Sequence, residues 1–447
     1  MIKRTLLFLL VCSCGGVAAM AQIDCTTSNK LVCQIPVSTR STNPGTVGNQ
    51  AQAFNASFAA QLSQLPLPSS ATGVVFVFDK SINDYKPLEN LGPILTDRAR
   101  TIGKRRLFLG FSFQQFNFTK INGNNLGSMP FVLASTSGSQ DQYFAQVEHI
   151  SFKFNQYVAI ATYGLTAHTD LSVIVPIVRV SIGVGQTVYG PAGEGTEYFF
   201  DHNTQKFLGQ VQVPIPTTAG IASGVGDVQL NLKQEFTKGS ESPFRFAGGI
   251  LLRFPTGDAQ NYLGSGAYAF NPYGVFSYDA RFSPHARLGY IWNSHTVLIQ
   301  EPSQNGTNCN TAVSPPACTP EARLPGGLQY DVGLDAKVVQ RVTVAADLFG
   351  NQFQNSPALV QTTVAIPTTI PAQTTPTAMA QTVIRVNSTY VINDFSVGLK
   401  WKPFKERNLL VYANGLFQLN NVGLRASPAP LFGLSYTFCA GILGCQK

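Results

Sequence analysis

Apolar and polar residues alternate with a period of two along several segments of this chain. In 150–162 the apolar residues fall mainly on even positions, while Lys153 and other polar residues fall on odd positions. The same alternation runs through 227–236 and 327–338. Because successive side chains of a β-strand point to opposite faces, this pattern predicts strands with one polar and one apolar face.

Collecting such segments predicts about twelve strands, many of them long enough to cross a bilayer when tilted. Two of them depart from the simple pattern. The strand 170–184 is apolar on both parities, and the alternation of 105–117 slips after Gln115, which predicts a bulge or the end of that strand. The predicted strands are 105–117, 149–164, 170–184, 226–237, 243–255, 272–283, 285–294, 326–338, 340–351, 391–403, 407–418 and 430–438.

The connections between these strands alternate in length. The short ones are 165–169, 238–242, 284, 339 and 404–406. The long ones are 118–148, 185–225, 257–271, 295–325, 352–390 and 419–429, of which 352–390 has the composition of a mobile outer loop. This alternation predicts an all-β fold, a transmembrane antiparallel β-barrel of about 12 strands with short periplasmic turns and long outer loops.

The two faces follow from the solvent on each side. A charge facing lipid at the bilayer midplane costs about 2–4 kcal/mol, so the charged parity is expected to face the lumen. The predicted lumen-lining residues are Lys153, Asp227, Lys233, Glu235, Arg245, Arg253, Asp279, Arg281, Arg287, Asp331, Asp335, Lys337, Asp347, Asp394 and Lys400. The predicted outward aromatic residues are Phe244, Phe246, Phe276, Tyr278, Phe282, Tyr290, Trp292, Tyr330, Phe395, Trp401, Phe432, Tyr436 and Phe438.

Composition supports an envelope protein. The chain is 44% hydrophobic and only 12% charged, against about 25% charged for ordinary soluble domains. Its formal charge of +8 is not concentrated in a basic run with interleaved aromatic residues, so no nucleic-acid partner is expected.

The first residues are typical of a secretory signal. Lys3 and Arg4 precede an apolar run, and Ala19-Met20-Ala21 fits the cleavage pattern, which predicts cleavage after Ala21 and export to the bacterial outer membrane. The predicted organisation is a signal peptide at 1–21, an N-terminal extension at 22–104, a barrel at 105–438 and a C-terminal tail at 439–447.

The N-terminal extension has two segments with regular patterns. Residues 51–65 favour a short amphipathic helix, and 73–79 favours a strand. Two interpretations stay open for the extension: a plug inside the lumen, or a loosely ordered periplasmic segment.

The six cysteines after the signal form three pairs that are local in sequence. An even count in an exported protein favours disulfides over a metal site, because no histidine lies near these pairs. Their connectivity stays open. The candidates are Cys25 with Cys33, Cys309 with Cys318, and Cys439 with Cys445.

Several segments resemble the MetA-pathway-of-phenol-degradation family of outer-membrane proteins, which is distantly similar to the fatty-acid channels. The matching segments are Tyr163–Thr166, Asp170–Pro176, Gly224–Val228, Leu252–Asp258 and Arg287–Tyr290. The resemblance covers the barrel and implies about twelve strands and uptake of aromatic or apolar compounds. Asp227 and Arg253 fall on the inward parity, so they are candidates for contact with a solute as well as for shaping the rim.

No enzymatic site is predicted. The chain has no nucleophile elbow and no zinc-protease motif. Its histidines, of which His168 and His285 are expected at turns, are not predicted to lie at the same level of the barrel as a serine and a carboxylate. No cofactor or metal is expected. The inward carboxylates are interleaved with lysine and arginine, which favours a network of ion pairs in a narrow lumen.

Two functions remain. The first is a barrel that allows passage or uptake of small molecules, with outer-membrane lipid and an unidentified solute as partners. The second is a structural or surface-interaction barrel that works through its long outer loops. The aromatic last strand, which ends at Phe438, resembles the terminal strand of outer-membrane barrels, so the barrel-assembly machinery is a further expected partner.

Overall fold

The structure is a computed structural model. It describes all residues except 1–27, 36–53, 70–75, 80–83, 88–89, 138–139, 191–192, 195, 202–206, 213–216, 238–241, 301–320, 367–377, 406 and 440–447, and the statements below concern the described residues.

Twelve antiparallel strands form a closed barrel, as predicted. Each strand pairs with the next one along the chain, and the last pairs with the first. In chain order they are β1 (Arg106–Ile121), β2 (Gln140–Gly164), β3 (Thr169–Gly190), β4 (Thr218–Val225 with Val228–Glu235), β5 (Phe244–Phe254), β6 (Ala269–Tyr278), β7 (Phe282–Asn293), β8 (Gly327–Val339), β9 (Val342–Ile366), β10 (Ala378–Trp401), β11 (Leu409–Gln418) and β12 (Ala429–Cys439).

The barrel closes through the pairing of β12 with β1, which runs in register from Leu431 opposite Gln114 to Cys439 opposite Arg106. The two parts of β4, which are separated at 226–227, count as one strand of the barrel, because both pair with β3 in the same antiparallel direction. The ring therefore has no open edge on which backbone groups would face lipid unpaired.

The two ends of the barrel differ. At one end, called here the turn end, the connections are short, and β1 starts and β12 stops there. At the other, the loop end, β2, β3, β9 and β10 extend well past their neighbours.

One predicted turn is misplaced. The connection between β6 and β7 lies at 279–281 and not at residue 284, because Pro284 continues β7 opposite Leu334. The hydroxyl of Ser283 accepts a hydrogen bond from the Ala280 amide and donates one to the Ala280 carbonyl, which closes the turn earlier.

The predicted mobile loop at 352–390 is also wrong over most of its length. The strands β9 and β10 continue their ladder as far as Ile366 opposite Ala378. Many residues of this stretch are valine and threonine, whose branched side chains suit a pleated sheet and here outweigh the scattered proline and glutamine residues.

Short elements fill the loops and the N-terminal segment. A helix covers 54–62, within the predicted 51–65, and Phe76–Asp79 forms a hairpin with Asp84–Pro87. Among the described residues, no helix is both long and apolar enough to span a membrane. The other short strands are Asn124–Asn125, Met129–Ser137, Gly193–Glu194, Thr196–Asp201, Phe207–Gln212, His295–Gln300, Glu321–Arg323 and Leu424–Ala426, and the 3-10 helices are Leu31–Cys33, Leu126–Ser128 and Ala259–Asn261.

The outer surface of the barrel carries an apolar band. Leu109, Ile177, Leu288, Leu399 and Leu434 on different strands expose between 44% and 57% of their surface. An apolar surface that surrounds the molecule is typical of contact with lipid. Of the predicted outward aromatic residues, nine are exposed, namely Phe244, Phe246, Phe276, Phe282, Trp292, Trp401, Phe432, Tyr436 and Phe438. The other four, Tyr278, Tyr290, Tyr330 and Phe395, are half-buried.

The predicted slip in β1 is neither a bulge nor an end. The alternation of burial continues through Gln115 as far as Thr119, but the apolar residues change faces: Phe111 points outward, while Phe116 and Phe118 point inward. On β2, Phe152 and Phe154 are likewise buried, and Lys153 is exposed, which contradicts its prediction as a lumen residue. At this height the band of exposed apolar residues has ended and the interior is itself apolar, so the charged side of the strand faces outward.

The band makes a testable prediction on β1. Leu109→Arg places a charge near the middle of the band and should lower the free energy of unfolding by about 2–4 kcal/mol. Thr119→Arg lies on the same strand and the same face but beyond the band, so it should cost about 0–1 kcal/mol. Urea unfolding of the protein refolded in lipid vesicles measures both, and equal costs would contradict the position of the band.

Candidate functional site in the barrel interior

Part of the N-terminal extension lies inside the barrel. Phe54 and Phe58 of the helix 54–62 are fully buried, and Phe58 packs against Phe152 of the wall with ring centroids 4.7 Å apart. Residues 90–102 lie nearer the turn end and contact β3, β4 and β6–β10. Below, residues 90–104 are called the lumenal segment.

Two lysines of the wall bind the backbone of the lumenal segment. Lys233 on β4 donates hydrogen bonds to the carbonyls of Arg98, at 3.2 Å, and Arg100, at 3.1 Å. Lys400 on β10 donates to the carbonyls of Leu91, at 3.1 Å, and Pro93. Both lysines are at most 2% exposed, so these contacts lie in a water-poor interior, where hydrogen bonds to a charged group are strong.

Acidic wall residues bind the same segment. Asp170 on β3 accepts a hydrogen bond from the Ile102 amide at 2.9 Å. Asp279 at the β6–β7 turn pairs with Arg100 and lies 3.5 Å from Arg245 of the wall. The segment is therefore held by wall cations on its carbonyls and by wall anions on its donors.

His285 lies at the centre of a buried cluster. It was predicted to lie at a turn, but the shifted turn places it inside β7, where it is 2% exposed. Its ring nitrogens lie 3.5 Å from Asp335 and 3.0 Å from Asp347. The hydroxyl of Thr96 in the lumenal segment donates to Asp347 at 2.9 Å and lies 2.6 Å from His285 Nε2. The cluster links the segment to β7, β8 and β9.

A cavity of about 160 Å³ lies beside the lumenal segment. Residues 63–69 and 95–97 form one side, and strands β3 to β9 form the other. Arg287 and Asp331 line it, and the Arg287 guanidinium stacks 4.3 Å from the Tyr273 ring centroid. The cavity combines apolar walls with charged groups, a combination that is typical of sites that orient a small molecule.

Asp227 holds the loop 255–268, which connects β5 and β6. Its carboxylate accepts hydrogen bonds from the Gly257 amide at 3.2 Å and from the Ser265 amide at 2.7 Å and hydroxyl at 2.5 Å. Arg253 lies 3.8 Å from Asp227. It also donates a hydrogen bond to the carbonyl of Ser63, the residue that follows the helix 54–62 in the chain. Two segments of the family resemblance, Gly224–Val228 and Leu252–Asp258, thus form one structural unit.

Thr256 completes this unit at the interruption of β4. Its hydroxyl accepts from the Val228 amide at 3.0 Å and donates to the Gly226 carbonyl at 2.7 Å. A side chain on Gly257 would lie 2.8 Å from the Gly264 Cα, so only glycine permits the close approach of the two sides of the loop.

The loop 255–268 also reaches the N-terminal segment. Tyr262 donates to Asn55 at 2.5 Å and packs edge-on against Phe152, and its burial raises the pKa of its hydroxyl above the ordinary value. Lys30 pairs with Asp258 at 2.5 Å. Burial raises the pKa of Asp258, but the hydrogen bonds from Lys30 and Asn261 outweigh it, so the net pKa is lowered.

The predicted lumen residues occupy three kinds of position. Nine of them are buried in the barrel: Asp227, Lys233, Glu235, Arg245, Arg253, Asp331, Asp335, Asp347 and Lys400. Asp279, Arg287, Lys337 and Asp394 are half-buried, and Asp394 pairs with Arg425 at 2.8 Å. Lys153 and Arg281 are exposed, and Arg281 lies in the β6–β7 turn because that turn begins earlier than predicted.

Sequence reasoning missed the partners that the N-terminal segment supplies. Asn90, Thr96, Arg98 and Arg100 lie in irregular backbone, so no periodicity marks them as interior residues. Asp170 was a detectable exception, since it is an acidic residue on the inward parity at the start of β3.

The disulfide candidates remain a prediction. Cys33 is fully buried beside the loop 255–268. The positions of Cys25, Cys309, Cys318 and Cys445, the side chain of Cys439 and the signal region lie outside the described residues.

Comparison with known proteins supports the resemblance that the sequence suggested. The family model described as "Putative MetA-pathway of phenol degradation" matches residues 134–308. No curated protein matches the chain.

Several solved structures have a similar chain path. The COG4313 outer membrane channel from Pseudomonas putida F1 is 11% identical, with a TM-score of 0.41, over 76% of this chain and 98% of the other. A FadL homologue of Pseudomonas aeruginosa is 11% identical, with a TM-score of 0.30, over 83% and 96%. The CymD monoaromatic hydrocarbon channel is 9% identical, with a TM-score of 0.25, over 75% and 88%.

Lys400 provides a test of how the segment is held. Lys400→Met leaves the carbonyls of Leu91 and Pro93 without their charged donor and should destabilise the lumenal segment by about 1–3 kcal/mol. Hydrogen exchange at 90–104 should accelerate, while the barrel strands keep their protection. Lys405→Met, at an exposed turn position, is the matched control and should change nothing. Unchanged exchange in Lys400→Met would show that the segment is held by other contacts.

Asp227 provides a test of the loop. Asp227→Ala leaves the amides of Gly257 and Ser265 unpaired, at a cost of about 1–3 kcal/mol for each buried group. Limited proteolysis should then cleave within 255–268. Asp258→Ala in the same loop, where the side chain is 36% exposed, removes hydrogen bonds from Lys30 and Asn261 that water can replace, and it should have the smaller effect. The reverse order would contradict the role assigned to Asp227.

Proposed function

We propose that this chain is an outer-membrane barrel that allows passage of small molecules, aromatic or apolar compounds among them. The N-terminal segment would act as a plug that is displaced when a solute passes. The proposal includes the outer membrane as its location, lipid around the apolar band and the barrel-assembly machinery as the agent of insertion.

The observation that carries the proposal is the chemistry between wall and lumenal segment. Lys233, Lys400 and Asp170 bind backbone groups of the segment. Beside them, Ile94 and Ile102 of the segment pack in small apolar clusters of the wall. Water can replace the hydrogen-bond partners when the segment leaves, although each hydrogen bond to a charged group contributes about 1.5–3 kcal/mol net. A wall built this way tolerates both an occupied and a water-filled lumen.

Barrel dimensions support passage of a small solute. Eight-stranded barrels are filled by their own side chains or hold one small ligand, whereas those with sixteen strands leave an aqueous channel. A barrel of twelve lies between them and would leave a narrow path once its plug moves. The cavity beside the segment marks a place on that path, with Arg253, Arg287 and Asp331 as lining groups.

Two observations support an apolar or aromatic solute. The inner wall toward the loop end is apolar, with Phe116, Phe118 and Val180 among its buried residues. The matched family is described by a pathway of phenol degradation. Both favour a solute with an apolar or aromatic part, and the apolar inner wall favours its entry from the loop end.

A second function would be a structural or surface-interaction barrel. The long hairpin of β9 and β10, which is paired beyond its neighbours as far as Ile366 and Ala378, would then be the working part. In this alternative the N-terminal segment stays in the lumen permanently, and no solute passes.

Conductance in planar bilayers distinguishes the two functions. The double variant Lys233→Met, Lys400→Met removes both lysines that bind the segment, and it should open more often than the wild-type protein, with at least a tenfold rise in open time. Deletion of 22–104 is the limiting case and should give a steadily open pore. The gel shift between boiled and unboiled samples establishes in each case that the barrel is closed.

Lys405→Met, Arg407→Met serves as the control, because both cations are exposed in the connection between β10 and β11. It should conduct like the wild-type protein. Absence of conductance and of solute flux in the wild type, the double variant and the deletion would remove the channel and leave the surface-interaction barrel.

A further inference from the structure

The outward faces of β1 to β4 change from apolar to polar within one row of residues. The strands are paired in register, so residues of one row lie side by side across the wall. The last apolar row is Phe113, Tyr157, Ile177 and Val225, the next row is Gln115, Asn155, Arg179 and Ser223, and the row after it is Asn117, Lys153, Ser181 and Ile221.

The change marks the edge of the apolar band toward the loop end. Tyr157 and Ile177 are exposed and belong to the band, and Tyr157 lies 5.0 Å from Phe113 between ring centroids. Aromatic rings at the end of an apolar band are typical of the level of the lipid headgroups. The two polar rows above them therefore lie where headgroups begin.

Two exposed cations, Lys153 and Arg179, lie in these rows. Lys153 is paired with Ser181, two residues from Arg179, so the cations are diagonal neighbours on one face, about 7–8 Å apart at the backbone. Of their six neighbours in the rows, five carry amides or hydroxyls, the sixth is Ile221, and none is an acid; the five are Gln115, Asn117, Asn155, Ser181 and Ser223. Two cations surrounded by neutral donors are complementary to a phosphate group.

We propose that this patch binds the phosphate groups of the anionic glycolipid in the outer leaflet. Lys153 and Arg179 pair with phosphate, and the amide and hydroxyl side chains around them bind the sugars that carry it. The acyl chains lie against Phe111, Tyr157 and Ile177 below. The proposal rests on the outer-membrane location and not on passage of a solute, so it stands whether or not the barrel conducts.

The test uses the full-length protein in detergent and diphosphoryl lipid A as the probe, with binding measured by native mass spectrometry. The double variant Lys153→Gln, Arg179→Gln should bind at least tenfold more weakly than the wild-type protein. Arg281→Gln, Arg341→Gln removes two exposed cations at the turn end and should change binding less than twofold. All variants should keep the heat-dependent gel shift of a closed barrel.

Two further probes identify the source of the phosphate. Lipid A stripped of its phosphates should bind the wild-type protein as weakly as diphosphoryl lipid A binds the double variant. Inorganic phosphate should fail to displace the lipid at millimolar concentration. Equal binding by wild type and double variant, or no loss on dephosphorylation, would overturn the proposal. Displacement by inorganic phosphate would show that the patch binds a soluble anion, and it would overturn the proposal that the patch binds a lipid.

Discussion

The structure depends on one constraint, that a sheet facing lipid must pair every backbone donor and acceptor within itself. The pairing of β12 with β1 meets this constraint, since it removes the last free edge. Closure then separates the environments of alternate residues: one parity of each strand faces outward, and the other faces whatever the ring encloses. The outer face carries an apolar band, and the buried charges of the inner face pair partly with one another and partly with the N-terminal segment inside.

The N-terminal extension contacts the inner face in two different ways. Toward the loop end, the helix 54–62 inserts Phe54 and Phe58 among apolar wall residues. Toward the turn end, an irregular backbone is held by Lys233, Lys400 and wall carboxylates. Burial of apolar surface favours a fixed position, whereas hydrogen bonds to backbone can be exchanged for water. The lumenal segment also buries Leu91, Ile94 and Ile102 against apolar wall residues, so it is held by both kinds of contact.

Two of the segments that resemble a known family, Gly224–Val228 and Leu252–Asp258, hold the loop 255–268 in place. Asp227, Thr256 and Gly257 join the interruption of β4 to the loop 255–268, and Tyr262 carries that loop onto the N-terminal helix. A change in any of these contacts would alter the position of the loop, and with it the boundary of the lumen at the loop end. Motifs of this barrel therefore shape the lumen indirectly, through the backbone they hold, while Arg253 and Asp331 face the cavity itself.

The sequence by itself determined the twelve strands, their order and the closed ring, because period two and the alternation of short and long connections follow from local geometry and from lipid. It also identified Lys233, Asp347 and Lys400 as inward, since a charge on the band is too costly. Only the tertiary structure decided that Lys153 faces outward, that His285 is buried and that 352–390 is mostly strand. The physical reason is that the surroundings of one face of a strand change along the barrel axis, from apolar to polar outside and from polar to apolar inside. The position of each residue along that axis depends on strand pairing and on where each turn lies. What the inner face meets depends on the N-terminal segment, whose irregular sequence has no period.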